Sequence, residues 1–182
     1  MKNNKVYIHK INQAVPDQSY TQEFALNYQL DLICDTPKKK MLLQKIYRDT
    51  GIAKRHTVIE DYGKDPQNHT FYPKNAKLEP EPTTAERNDL YIKEADKLVI
   101  KAVDGLLKKL APSLKDKITH IITVSCTGFS APGFDFTIMK HFALNKSVDK
   151  LHIGFMGCYG AFPAMRTALS FCRSDENAKV LV

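Results

Sequence analysis

The stretch Ile118-Thr119-His120-Ile121-Ile122-Thr123-Val124 decides the fold. It is β-branched at every position except His120 and mostly apolar, the composition of a strand covered on both faces, as in parallel sheets. Downstream, Pro132-Gly133 opens a helix that puts Phe134, Ile138 and Phe142 on one side. Lys150 to Phe155 reads as a short strand, Cys158 to Arg173 as a helix with Pro163 in its first turns, and Lys179 to Val182 as a further strand. Strand–helix–strand–helix–strand over this length implies parallel strands joined by crossover helices, hence an α/β layered domain.

Upstream, Thr84 to Leu110 carries apolar residues at Leu98, Val99, Ala102, Val103, Leu106, Leu107 and Leu110, the three-and-four rhythm of a helix. Val6 to Val15 predicts a first strand closed by Pro16-Asp17. Ser19 is the expected cap of a helix running through Phe24, Leu26 and Leu30 toward Ile33. A second helix follows Thr36-Pro37, carries Met41, Leu42, Ile46 and Tyr47, and stops at Thr50-Gly51. Asp61 to Pro82, rich in Pro, Asn, Lys and Glu, reads as a loop, either plain or an excursion over a pocket.

The chain has 182 residues, 43% hydrophobic and 26% charged, enough for one globular domain with a substantial core. These fractions exclude wholesale disorder and collagen-like repeats. No apolar run approaches a membrane span, and the N-terminal MKNNKVYIHKINQAV has no apolar core of a secretory signal, so a cytoplasmic location is expected. The last residues, Ala178 to Val182, read as the start of a buried strand, a place where a domain rarely stops.

The net charge of +7 invites a nucleic-acid reading. Apart from Lys38-Lys39-Lys40, however, the 27 basic residues are scattered among Asp and Glu, without zinc-finger spacing or an RNA-recognition aromatic motif. A solvated basic surface is the favoured reading, and attraction of an anionic small molecule the functional one. No C-x-x-C pair occurs among Cys34, Cys126, Cys158 and Cys172, and the histidines show no ligand spacing, so no metal site is expected. Each cysteine is expected to be reduced, and to be either a small core residue or a reactive thiol.

Two strand-to-helix junctions hold the candidate chemistry, at the strand ends where open α/β sheets place their sites. Ser125-Cys126-Thr127-Gly128-Phe129-Ser130-Ala131-Pro132-Gly133 packs hydroxyl and thiol side chains with two glycines, so backbone can approach a ligand closely. An ordinary loop with Ser130 capping the next helix explains it as well. In Gly154-Phe155-Met156-Gly157-Cys158-Tyr159-Gly160-Ala161, Cys158 is expected at the first position of a helix, where free amides and the helix dipole stabilise a thiolate. Such a cysteine attacks an activated acyl group and holds it as a thioester. The competing reading is a cysteine that only packs, and packing is the preferred reading for Cys34 and Cys172.

These segments resemble those of type III polyketide synthases, the chalcone/stilbene synthase family. Ile118 to Ile122 and the Ser125-to-Gly133 loop are similar to that family's strand and T-S-G-x-x-x-P-G loop. Met156 to Ala161, then Met165-Arg166 and Ala178 to Val182, resemble its nucleophilic cysteine segment and following strand. Thr50-Gly51-Ile52-Ala53-Lys54-Arg55-His56 is similar to its early S-G-I-x-x-R-x motif, and the likeness runs in order from about Tyr47 onward.

The resemblance implies a thiolase-like layered fold with a mixed, largely parallel sheet, of which residues 1–182 are the N-terminal half and the C-terminal half is absent. It implies a homodimeric acyltransferase that loads an acyl group from acyl-CoA and extends it with units from malonyl-CoA, using coenzyme A thioesters as substrates and no permanently bound cofactor. Cys158 would be the loading nucleophile. Cys126 and Thr127 would line the acyl pocket, and Ala131 falls where a larger residue often reaches across the dimer. Lys45 matches loosely a basic position that meets the coenzyme A phosphates; a solvated helix lysine fits as well. None of His120, His141 and His152 stands in the motif of the family's catalytic histidine, which with its asparagine belongs to the other half. The isolated chain is therefore expected to be inactive in condensation. A condensing enzyme of fatty-acid initiation, a non-catalytic binding or assembly half, and a basic nucleic-acid binder are the alternatives.

Overall fold

The computed structural model describes residues 5–182. They form two compact units: residues 5–14 with Ala85–Val182, and Val15–Thr84.

The first unit is built on the β-branched run. β3 (His120–Ser125) lies at the centre of a parallel three-stranded sheet, between β4 (Asp149–Gly154) and β5 (Val180–Leu181). α5 (Phe134–His141) and α6 (Ala161–Ser174) are the crossovers. Ile121 and Ile122, on opposite faces of the central strand, are each only 1% exposed, which is the burial on both sides that the sequence predicts. Ile121 packs with Val103, Ile138, Leu144, Val148 and Leu181, so the core joins the sheet to α3 (Thr84–Leu107) and α5. α3 stops three residues before the predicted Leu110, and the short α4 (Pro112–Lys115) leads into the sheet.

The predicted strand over Val6–Val15 does not form. Residues 5–16 form no helix or strand and join no ladder, and Tyr7, Ile8 and Ile11 are exposed. β-branched composition favours a pleated surface only where a partner strand is available. Asn12 instead ties this arm to α3, donating from Nδ2 to the Ala102 carbonyl at 2.8 Å. A side chain at Gly105 would collide with that amide, so the helix offers a glycine there.

In the second unit, β1 (Gln18–Thr21) pairs antiparallel with β2 (Lys54–Thr57), from Gln18 opposite Thr57 to Thr21 opposite Lys54. Ser19 sits in this ribbon. The cap of α1 (Gln22–Ile33) is Thr21, whose hydroxyl accepts from the Phe24 amide at 3.0 Å. α2 (Pro37–Asp49) starts as expected, with Thr36 capping and Pro37 at its first position, where a missing N–H costs little. The predicted loop from Asp61 to Pro82 contains only one turn of 3₁₀ helix, Pro66–Asn68.

That loop is held by Asp61, which is fully buried. One carboxylate oxygen accepts from the amide and the hydroxyl of Thr70, at 2.8 and 2.9 Å, and the other from the Phe71 and Tyr72 amides, at 2.8 and 2.7 Å. Burial alone would push its pKa up. The three amides and the hydroxyl outweigh that and hold it at about 2. Around the clasp, Tyr62 packs edge-on against Tyr28 and Tyr72, and the two phenol oxygens of Tyr62 and Tyr72 lie 2.9 Å apart.

Candidate active site

The two loops singled out from sequence leave the same end of the sheet side by side. β3 and β4 run parallel with Ser125 opposite Gly154, so the chain exits both strands at one level. Cys126 is the first residue beyond β3, and its thiol donates to the Gly157 carbonyl at 3.6 Å, linking one loop to the other.

Cys158 does not stand at the first position of an α-helix. It sits in a single 3₁₀ turn, Gly157–Tyr159, and α6 begins at Ala161. The glycines explain the displacement. Gly157 takes φ +67, the left-handed region favoured by glycine, and a side chain there would be strained. Gly160 caps α6 against the central strand; a Cβ on it would lie 2.7 Å from a Val124 methyl. The chain therefore turns tightly at Gly157, presents Cys158, and enters α6 only where Gly160 fits under β3. No side chain caps α6, and Pro163, in its first turn, has no N–H to leave unpaired.

Cys158 is exposed, whereas Cys34, Cys126 and Cys172 are half-buried. Phe155, just after β4, has φ +56 and is 81% exposed, with its ring centroid 6.5 Å from that of Phe129 in the neighbouring loop. Left-handed backbone at a bulky residue costs on the order of 1–2 kcal/mol, so the approach to Cys158 is strained as well as tight.

Thr127 and Ala131 are exposed in the first loop. Ser130 does not cap the helix. Gly133 holds that position and no side-chain bond is made there. Tyr91, Phe129, Ala131, Phe134 and His152 are among the walls of a cavity of about 210 Å³ beside this loop. Lys45 lies exposed on α2, in the other unit.

The histidines have structural surroundings. His120 begins β3, at the end of the strand away from Cys126, stacked on Phe171 with centroids 4.4 Å apart. His152 Nδ1 lies 2.8 Å from the hydroxyl of buried Thr123 across the ladder, and His141 packs edge-on against Phe142. Among the described residues, no three His, Cys, Asp or Glu side chains group as metal ligands. No helix among the described residues is long and apolar enough to cross a membrane.

Two residues of α3 were not singled out from sequence. Asn88 makes both hydrogen bonds of its amide with one residue, donating to the Phe129 carbonyl at 3.0 Å and accepting from the Phe129 amide at 2.9 Å. Tyr91 donates to Ser125 Oγ at 2.7 Å, and its ring fills the space a side chain at Gly128 would need. The available signal was a helical asparagine, a poor helix former, three residues before a tyrosine on the same face.

Residues 2–182 match the family described as chalcone and stilbene synthases, N-terminal domain. The type III polyketide synthase C of Arabidopsis thaliana is 25% identical over 181 residues, covering 98% of this chain and 45% of its own length. An alpha-pyrone synthesis polyketide synthase-like protein of Mycobacterium tuberculosis is 28% identical over 181 residues, covering 96% of this chain and 42% of that protein. The C-terminal type III polyketide synthase domain of Steely1, a type I/III hybrid from Dictyostelium, superposes with a TM-score of 0.77 at 24% identity. That match covers 96% of this chain and 46% of the solved one, so the chain spans under half the length of these relatives. The layered arrangement is thus the N-terminal part of the thiolase-like fold of type III polyketide synthases. With nearly its whole length in that match, and two glycine-bordered cysteine loops leaving adjacent parallel strands, the chain belongs to the chalcone and stilbene synthase family.

Proposed function

We propose that Cys158 is the acyl acceptor of a type III polyketide synthase. The observation that carries this reading is the position of its thiol: exposed, on a glycine-bordered turn at the C-terminal end of a parallel strand, beside a second loop held to it through Cys126. In the loading step the Cys158 thiolate attacks the thioester carbonyl of an acyl-CoA. A bond forms between that carbon and Sγ, the bond to the coenzyme A sulfur breaks, and coenzyme A leaves as a thiolate that takes up a proton. Cys126, Thr127 and Ala131 border the acyl group in this reading, and Lys45 meets the coenzyme A phosphates. The small side chain of Ala131 leaves room where the family often reaches across a dimer, and a cytoplasmic homodimer is part of the proposal. Chain extension uses malonyl-CoA. The histidine and asparagine that stabilise the thioester enolate in this family lie in the half of the relatives that these residues do not span. The 182-residue chain alone therefore loads but does not condense.

The test is mass spectrometry of the purified chain after incubation with a short acyl-CoA. The expected result is one acyl group on Cys158, release of free coenzyme A, and no polyketide when malonyl-CoA is added. An unmodified Cys158, or acylation of Cys126 in its place, would overturn the reading. A polyketide product that disappears in Cys158→Ala would overturn the predicted lack of condensation.

A further inference from the structure

We infer that Asn88 and Tyr91 are positioning residues that hold the Ser125–Ala131 loop, and through it the turn carrying Cys158. The inference rests on the proposed role of Cys158 for its functional meaning, but its structural content stands on separate observations. Three residues apart on α3, the two side chains share one helix face. Both are half-buried. Asn88 makes a closed pair of hydrogen bonds with the backbone of Phe129, satisfying the one amide and the one carbonyl as a neighbouring strand would. Tyr91 grips the other end of the loop, with its hydroxyl on Ser125 and its ring against Gly128. Cys126 and Thr127 lie between these two anchor points.

The restraint passes on through one further contact. The thiol of Cys126 donates to the carbonyl of Gly157, the residue before Cys158. α3 is rooted in the core through Val103 and Val99, so the loop is referenced to the rigid part of the unit. A nucleophile on a turn loses rate when its geometry wanders, and a site on loops needs such supporting contacts from regular elements.

Iodoacetamide at limiting concentration, with each cysteine followed by peptide mass spectrometry in the full chain, tests this. Asn88→Ala is expected to raise alkylation of Cys126 about five-fold, the change produced when hydrogen bonds of ordinary strength no longer hold the loop closed. Cys34 and Cys172 serve as internal references and are expected to keep their rates. Tyr91→Phe keeps the ring on Gly128 and both Asn88 bonds, and is expected to raise Cys126 alkylation by a smaller factor. Should Asn88→Ala fail to fold, Tyr91→Phe still decides. Unchanged Cys126 alkylation would overturn the inference, and so would an equal rise at Cys34, Cys126 and Cys172, which marks general loosening. Acyl-CoA loading measured in parallel separates the two ideas. A Cys158 that never accepts an acyl group counts against the proposed function, whereas the Cys126 ratio answers for the clamp.

Discussion

The Asp61 loop and the Cys158 turn solve opposite problems with the same material, irregular backbone. At Asp61 a buried carboxylate gathers four donors from residues nine to eleven positions on, and none of its acceptor capacity faces water. At Cys158 the backbone is strained at Phe155, held by glycines at 157 and 160, and the reactive side chain is left exposed. The first loop spends its polar groups on its own stability. The second leaves a thiol exposed and gives the helix that follows no side-chain cap. Loops that carry chemistry are expected to be less self-satisfied than loops that only fold, and the two units of this chain show both kinds.

The contrast is open to attack at three points. Replacing the clasp should cost most. Asp61→Ala removes the buried acceptor shared by four donors of Thr70, Phe71 and Tyr72, so a stability loss of about 3–5 kcal/mol is expected from the lost charge-assisted hydrogen bonds, read as a lower urea midpoint. The carboxylate itself makes a pH signature. Its folded pKa of about 2 lies below the unfolded value near 3.9, so its contribution is complete above that value. It is lost as pH falls from about 5 toward 2, an acid-dependent loss of stability on the order of 2 kcal/mol. Asp61→Asn should flatten that part of the stability profile; an unaltered profile would mean the clasp is not what holds the loop.

Gly160→Ala should cost less, about 1–3 kcal/mol, because the new methyl must push Val124 of the central strand or α6 aside. Its more telling effect is expected at the neighbouring thiol, whose alkylation rate should change while that of Cys34, in the other unit, stays constant. Cys158→Ala should cost least, within about 0.5 kcal/mol, as expected for an exposed side chain. It should nevertheless remove the dominant site of alkylation with limiting iodoacetamide. Dominant labelling of Cys34 or Cys172 in the unaltered chain would place the reactive thiol elsewhere and erase the contrast.

Most of the parallel sheet was legible because its signal is local. The β-branched run and the helical rhythms of α3, α5 and α6 report burial directly, and the elements form close to where those patterns fall. Val6–Val15 misled because composition does not report whether a partner strand is present; the ribbon forms instead at Gln18–Thr21, a polar segment with β2 beside it. The cysteine was legible from its flanking glycines, but its place outside α6 was not. That displacement depends on Gly160 meeting Val124, a contact between residues 36 positions apart. Asn88, Tyr91 and Asp61 were illegible for the same reason. A side chain whose hydrogen-bond partner lies outside its own element leaves no periodicity behind.

The ladder between β3 and β4 works as a ruler. Its six residue pairs run from His120 opposite Asp149 to Ser125 opposite Gly154, and the two cysteine loops start where the ruler ends. One residue inserted in either strand would offset the loops by about 3.3 Å and turn the rest of that strand to the opposite face. Length changes in this family are thus expected beyond Pro132 or in the turn at Asn145–Ser147. The two strands themselves should keep equal length even as their side chains change.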